Sequence, residues 1–384
     1  MTDIDALSLT KACHGMLLRL AGRIPDGLLG QSRAWLAALA PERMAHAVAS
    51  HAAASRLPLP PDDAALLRWI LAAAGIQTEA AQQMVTDPAA GSAPAYAFVP
   101  APPETMAARG EQFGPCLDLT APGWCDEDEG GETGTALGTA RPAAKLPWGL
   151  TDGLDAAAAG AAAGIEGAAA LWRAWRIPDD GAPWPPPRPV FLLALDPPGQ
   201  PFEAAAVLQD RLAGFGEGAG LVEAFDLGEQ LPPYQRAARA RAALLWTARL
   251  LAPIRLAPVY DTVSAGGEPS FDPRRPRLAP ADREPVAALL DGGSVLMSTA
   301  TRLDDVLDPV SGRGRVPAGF RTDGRWVWSD AVTYYVRVHG VAPVADLLLH
   351  LRTADPTSPD AVDLFRAAAA LTRVPPDEPP PPAV

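Results

Sequence analysis

Leu9, Cys13, Met16, Leu17 and Leu20 recur at three- and four-residue spacings, the stripe of an amphipathic helix, and Gly22 closes it. Pro25 and Pro41 fit the first turns of the next two helices, where a missing backbone amide costs nothing. The helix after Pro61 opens on Asp62 and Asp63, which suit the positive end of the helix dipole, and turns Leu66, Leu67, Ile70 and Leu71 inward with Trp69 beside them. A short fifth helix is expected over Thr78–Val85. Short helices with short connections predict a small bundle over 1–85.

The pattern then changes. Residues 86–150 are rich in Pro, Gly and Ala and keep no period, and Cys125–Glu132 (CDEDEGGE) reads as a solvated acidic loop or linker. Residues 151–176 predict one Ala-rich helix ending in Leu171, Trp172 and Trp175, weakened by glycines at 153, 160, 164 and 167. Val190–Leu195 is an apolar run of strand length, Phe202–Leu212 a helix and Leu221–Phe225 a second strand. That order predicts a βαβ crossover with parallel strands. A helix is expected over Leu231–Leu250, carrying Ala237, Leu244, Leu245 and Trp246.

From 251 the chain predicts extended segments at Ile254–Tyr260 and Pro269–Phe271, a helix at Asp282–Leu290 and a strand at Ser294–Ser298. Phe320 and Trp326–Trp328 form a hairpin turned at Asp323–Gly324, a strong tight-turn pair. Ser329 or Asp330 caps a helix Ala331–His339 that Gly340 closes, and Ala345–Leu351 and Ala361–Leu371 are two more helices. The end, Pro375–Val384, has polyproline composition. The expected organisation is a helical bundle at 1–85, a loop-rich linker at 86–150, an Ala-rich helix with a βαβ-like unit at 151–250, a mixed domain at 251–373 and a Pro-rich tail at 374–384. The fold class is α+β, multidomain.

Composition narrows the function. The 384 residues carry a net charge of −13, which argues against nonspecific binding to nucleic acid or to an anionic membrane surface. The 34 Gly and 43 Pro fit long irregular stretches. Three cysteines, Cys13, Cys116 and Cys125, match no disulfide scaffold, so a reducing cytoplasm is expected. Met1–Ala6 has two Asp and no positive stretch, unlike a Sec signal peptide. No apolar run reaches the ~18–20 residues of a membrane helix. The longest, Ala156–Ile165, offers only an isolated Gly160/Gly164 pair.

Catalytic motifs are sparse. The glycines of Gly214–Gly220 miss the G-x-G-x-x-G frame and lie after a helix rather than a strand. His46 and His51 are five apart, Cys116 and Cys125 nine apart, and neither spacing builds a metal site, so no metal or other cofactor is expected. No GxSxG elbow occurs, and with no asparagine in the chain a Cys–His–Asn site is ruled out. Two carboxylates remain, Asp196 and Asp226, each ending a strand of the βαβ unit, where Mg²⁺ or acid–base chemistry could be placed. Tyr234, Arg236 and Arg239 form a candidate grip for phosphate or an acidic partner. Trp326, Trp328, Tyr334, Tyr335 and His339 form the densest aromatic cluster and a candidate docking surface, against the plainer alternative of a strand–helix core.

Phe320–Leu351 (FRTDGRWVWSDAVTYYVRVHGVAPVADLLLHL) resembles a C-terminal module of uncharacterised actinobacterial proteins that read FRTDG-x-W-x-W, then YY and HG-x-AP. Ala12–Leu36 and Leu231–Trp246 resemble further segments of such proteins, and the near-exclusive use of Arg over Lys, with only Lys11 and Lys145, resembles high-GC actinobacterial usage. The resemblance implies one shared architecture and carries no active-site residue. The leading expectation is a non-catalytic protein-binding, accessory or regulatory protein. The alternative is a Mg²⁺-dependent enzyme acting on a phosphate-containing small molecule through Asp196 and Asp226.

Overall fold

The computed structural model describes residues 3–91, 96–121, 150–178, 185–218, 220–264, 266–354 and 358–373. The acidic run Cys125–Glu132 and the tail Pro375–Val384 lie outside them. The chain divides at Leu250/Leu251 into two compact units, and the fold is mixed α+β. Among the described residues no helix is long and apolar enough to cross a membrane.

Unit 1 begins with α1 (Asp3–Leu20), α2 (Asp26–Ala37), α3 (Pro41–Ser55), α4 (Pro61–Ala73) and α5 (Glu79–Gln83). It continues through β1 (Tyr96–Val99), α6 (Pro103–Arg109), β2 (Leu117–Asp118), α7 (Gly153–Ala163), β3 (Ala168–Pro178) and β4 (Arg188–Leu195). It closes with α8 (Pro201–Leu212), β5 (Leu221–Asp226), α9 (Pro233–Ala240) and β6 (Ala243–Thr247). The first helices follow the sequence pattern: Cys13, Met16, Leu17 and Leu20 are all buried, and Gly22 leaves the helix at φ +74°. These helices lie in the same compact unit as the sheet, so the separate bundle expected at 1–85 is part of a larger body.

The sheet runs β2-β6-β3-β4-β5, with β1 added to β3. β4 and β5 are parallel with α8 between them, the crossover the sequence predicted. Two segments depart from expectation. Residues 151–176 do not form one helix: α7 stops at Ala163, Gly167 turns at φ +73°, and Leu171, Trp172 and Trp175 lie in β3. Leu231–Leu250 likewise splits into α9 and β6. In both, pairing on two sides overrides helix propensity: β3 lies between β4 and the β6/β1 pair, and β6 between β3 and β2. The segment expected as a linker contributes β1 and β2 to this sheet.

One face of the sheet packs Leu171, Phe191, Leu193 and Val222 against Ala158 and Ala162 of α7 and Leu208 of α8. The helices α1 and α2 meet the sheet at its free edge, β5. Among the described residues no strand pairs with the Val222 and Ala224 carbonyls there. Arg33 of α2 donates to the first and His14 Nε2 of α1 to the second, at 2.8 Å. Arg33 also pairs with Glu223 at 2.7 Å, and Gln235 of α9 bridges Glu223 and the Leu18 carbonyl at 2.7 and 2.9 Å. All four side chains are buried. Side chains thus seal an edge that would otherwise invite another strand.

Unit 2 comprises β7 (Arg255–Leu256), β8 (Thr262–Val263), β9 (Pro269–Ser270), α10 (Pro280–Asp291), β10 (Ser294–Met297), β11 (Arg302–Leu303) and β12 (Val316–Pro317). Then come β13 (Phe320–Thr322), β14 (Trp326–Ser329), α11 (Asp330–His339), α12 (Ala345–Thr353) and α13 (Ala361–Thr372). Its main sheet is β10-β13-β14-β7. The β13–β14 hairpin turns at Asp323–Gly324 with Gly324 at φ +87°, and Asp323 Oδ1 accepts the amides of Arg325 and Trp326 at 3.0 and 2.8 Å.

Burial holds His14 neutral, its pKa lowered to about 4, and the nearby Arg33 charge acts in the same direction. Because Nε2 donates to Ala224, acid would protonate Nδ1, which is buried without a partner. The folded pKa lies below the ordinary value, so this contribution is complete above about pH 6.5. It is lost as the pH falls toward 4, by at most about 3 kcal/mol. Urea titrations between pH 7 and pH 4.5 should show His14→Gln flattening the acid loss of unit 1 stability. Parallel pH profiles for wild type and variant would contradict this role.

Candidate functional site

Tyr334, Tyr335 and His339 share α11, which starts where Ser329 accepts the Ala331 amide and ends at Gly340 with φ +68°. Tyr334 and His339 converge on Asp305, in the loop between β11 and β12. The Asp305 carboxylate is buried. One oxygen accepts the Leu307 amide at 2.9 Å, and the other accepts the Tyr334 hydroxyl at 3.0 Å and His339 Nε2. Burial alone would raise the Asp305 pKa. The hydrogen bonds from His339, Leu307 and Tyr334 outweigh it and hold the group below the usual carboxylate range. Tyr335 is fully inside, its hydroxyl accepting the Val306 amide at 3.2 Å and its ring packed edge-on against Phe271 and Tyr260. Burial pushes its hydroxyl pKa upward.

The expected aromatic docking surface is therefore corrected. Trp326 and Trp328 do face one side of their strand, but they are 5% and 1% exposed, and Tyr335 is 1% exposed. The Trp328 indole donates to the Leu290 carbonyl at 3.2 Å, and its ring lies so close to Gly293 that a Cβ there would sit 2.3 Å away. Arg255 covers the Trp326 ring at 4.2 Å. These rings fill the core because the hairpin presses them between α10, α11 and α12.

Tyr234 is buried as well, edge-on to Phe98 at 5.2 Å and against Gly22. Arg236 is exposed while Arg239 is half-buried, its pKa lowered by burial. The three do not form one open grip.

Asp196 and Asp226 do end adjacent parallel strands, with Leu195 in register with Asp226. Asp196 lies one residue past the end of β4. Asp196 is exposed. Asp226 is half-buried, and its Oδ1 has no hydrogen-bond partner. Burial raises its pKa against the pull of Lys11 and the Gly199 amide. Among the described residues no group of three or more His, Cys, Asp or Glu could hold a metal ion.

Unit 2 has an open pocket of about 610 Å³ between the end of α10, the hairpin turn and α12. Ala288, Leu289, Leu351 and Pro359 supply apolar lining, and Asp323, Arg325 and His350 supply polar lining. His350 Nε2 donates to Asp323 Oδ2, and Oδ1 of the same carboxylate already holds the turn. Ser294 and Ser358 also line the pocket, and among the described residues neither is hydrogen-bonded to His350. The turn at Asp323 was legible in sequence. His350, 27 residues further on, carried no local signal that it would meet that turn.

The chain matches no protein-family model, no curated protein and no solved structure.

Asp305 ties the β11–β12 loop to α11, and its loss leaves buried donors without an acceptor. Asp305→Asn should cost about 1–3 kcal/mol in chemical denaturation of the full chain. A change below about 0.5 kcal/mol, the scatter of ordinary surface substitutions, would contradict that role.

Proposed function

We propose that the chain is a non-catalytic binding protein, an accessory or regulatory partner of another polypeptide, with its binding site in unit 2. One observation carries this reading: an open pocket with apolar lining and a few fixed polar groups, in which, among the described residues, no nucleophile is hydrogen-bonded to a base. The Asp305 cluster supports it from the other side, because its tyrosine and histidine are spent on one buried carboxylate. A cytoplasmic location belongs to the proposal. Cys13 is a free, buried thiol, in keeping with a reducing compartment.

Leu289 lines the pocket and is 43% exposed, so changing it should spare the fold. Peptides selected from a displayed random library on the wild-type chain should lose at least about tenfold in affinity, ~1.4 kcal/mol, on Leu289→Arg. Selected peptides that bind the variant as tightly as wild type would place recognition elsewhere and overturn this assignment.

A second reading rests on the unpartnered Oδ1 of Asp226 at the end of β5 and the exposed Asp196 just past β4: a Mg²⁺-dependent enzyme acting on a phosphate-containing small molecule through these two carboxylates. It requires a MgCl₂-dependent rise in Tm that Asp226→Asn abolishes. A wild-type Tm indifferent to Mg²⁺ removes it.

A further inference from the structure

We infer that the unit 2 pocket receives the C-terminal carboxylate of an extended polypeptide whose last side chain is apolar, with Arg325 taking the carboxylate. This rests on the binding role proposed above and adds the chemistry of the partner.

Among the described residues, the Asp323 carboxylate and several carbonyls around the pocket are already hydrogen-bonded. Asp323 accepts the Arg325 and Trp326 amides on one oxygen and His350 on the other. At the end of α10, where carbonyls concentrate negative charge, Leu290 accepts the Trp328 indole, and Arg321 donates to the Asp291 and Gly293 carbonyls at 2.8 and 3.1 Å. The Thr322 hydroxyl donates to the Trp326 carbonyl and accepts the Gly324 amide. A cationic ligand would therefore find each of these negative groups already matched.

The donors are different. Among the described residues nothing accepts from the Arg325 guanidinium, and the Ser294 and Ser358 hydroxyls also lack partners. The charge that complements this side is an anion. A guanidinium can grip a carboxylate through two parallel hydrogen bonds. Ala288, Leu289, Leu351 and Pro359 line the same pocket and ask for an apolar group close to that anion. A chain terminus supplies both at once, because its carboxylate and its last side chain leave the same Cα. An internal Asp or Glu brings the charge without the apolar group.

The test uses the full chain and fluorescence polarisation with labelled hexapeptide pools ending in Leu, Val or Phe. One pool carries the free carboxylate and the other is the C-terminal amide. The acid pool should bind at least about tenfold tighter than the amide pool, the scale of a hydrogen bond to a charged group. Arg325→Ala should erase that difference, Arg325→Lys should restore part of it, and Leu289→Arg should weaken both pools. Equal binding of acid and amide, still sensitive to Leu289→Arg, overturns the carboxylate assignment and leaves the binding role standing. Failure of both pools to bind the folded chain, or binding that ignores both substitutions, overturns the assignment together with the pocket reading beneath it.

Discussion

Strand β5 ends the sheet of unit 1 with its outer carbonyls facing no other strand, and the arrangement of the N-terminal helices follows from that constraint. Val222 and Ala224 receive Arg33 and His14 instead of a neighbouring strand. The Arg33 charge is balanced by Glu223 of the same strand, which Gln235 ties to the Leu18 carbonyl. A single buried knot therefore fixes α1, α2 and α9 against β5. A buried ion pair adds little net stability over an apolar substitute, but removing one partner strands the other. A shifted docking of the helices would leave these buried groups without their partners, and the side chains occupy the edge where an outside strand would pair.

Unit 2 spends its polar groups differently. Asp305 and Asp323 each accept hydrogen bonds from a histidine and from backbone amides, so both carboxylates work as clasps for loops. The aromatic side chains that give this segment its distinctive composition pack inward, with Trp328 against Gly293 and Tyr335 against Phe271. Among the described residues, the Arg325 guanidinium, two hydroxyls and apolar side chains remain available at the pocket. Recognition needs unsatisfied groups, and these are the ones at hand.

Much of this fold could be read along the chain. The stripe from Leu9 to Leu20, the β4–α8–β5 crossover and the Asp323–Gly324 hairpin all appear where local periodicity or turn chemistry placed them, because each is decided within a few residues. β3 and β6 were hidden. Their runs of Ala, Leu and Trp suit a buried helix as well as a buried strand, and only pairing with distant β4 and β2 decides between them. The aromatic cluster was found in sequence, but the choice between core and surface stayed open, since two tryptophans on one strand face show which side they share and not what covers it. The His350–Asp323 pair and the pocket beside it depend on α12 returning to the hairpin, a tertiary fact without a local signature.

Unit 1 as an internally sealed scaffold and unit 2 as the recognition surface can be separated by mapping where a bound peptide slows amide exchange. Hydrogen–deuterium exchange of the full chain, with and without the carboxylate-ended hexapeptide pool, reads every element in one experiment. The expected result is slower exchange at the end of α10, in the β13–β14 hairpin and along α12, with β5 and the helices that cap it unchanged. Protection that instead builds up in β5 or α1, with unit 2 unaffected, would contradict the account.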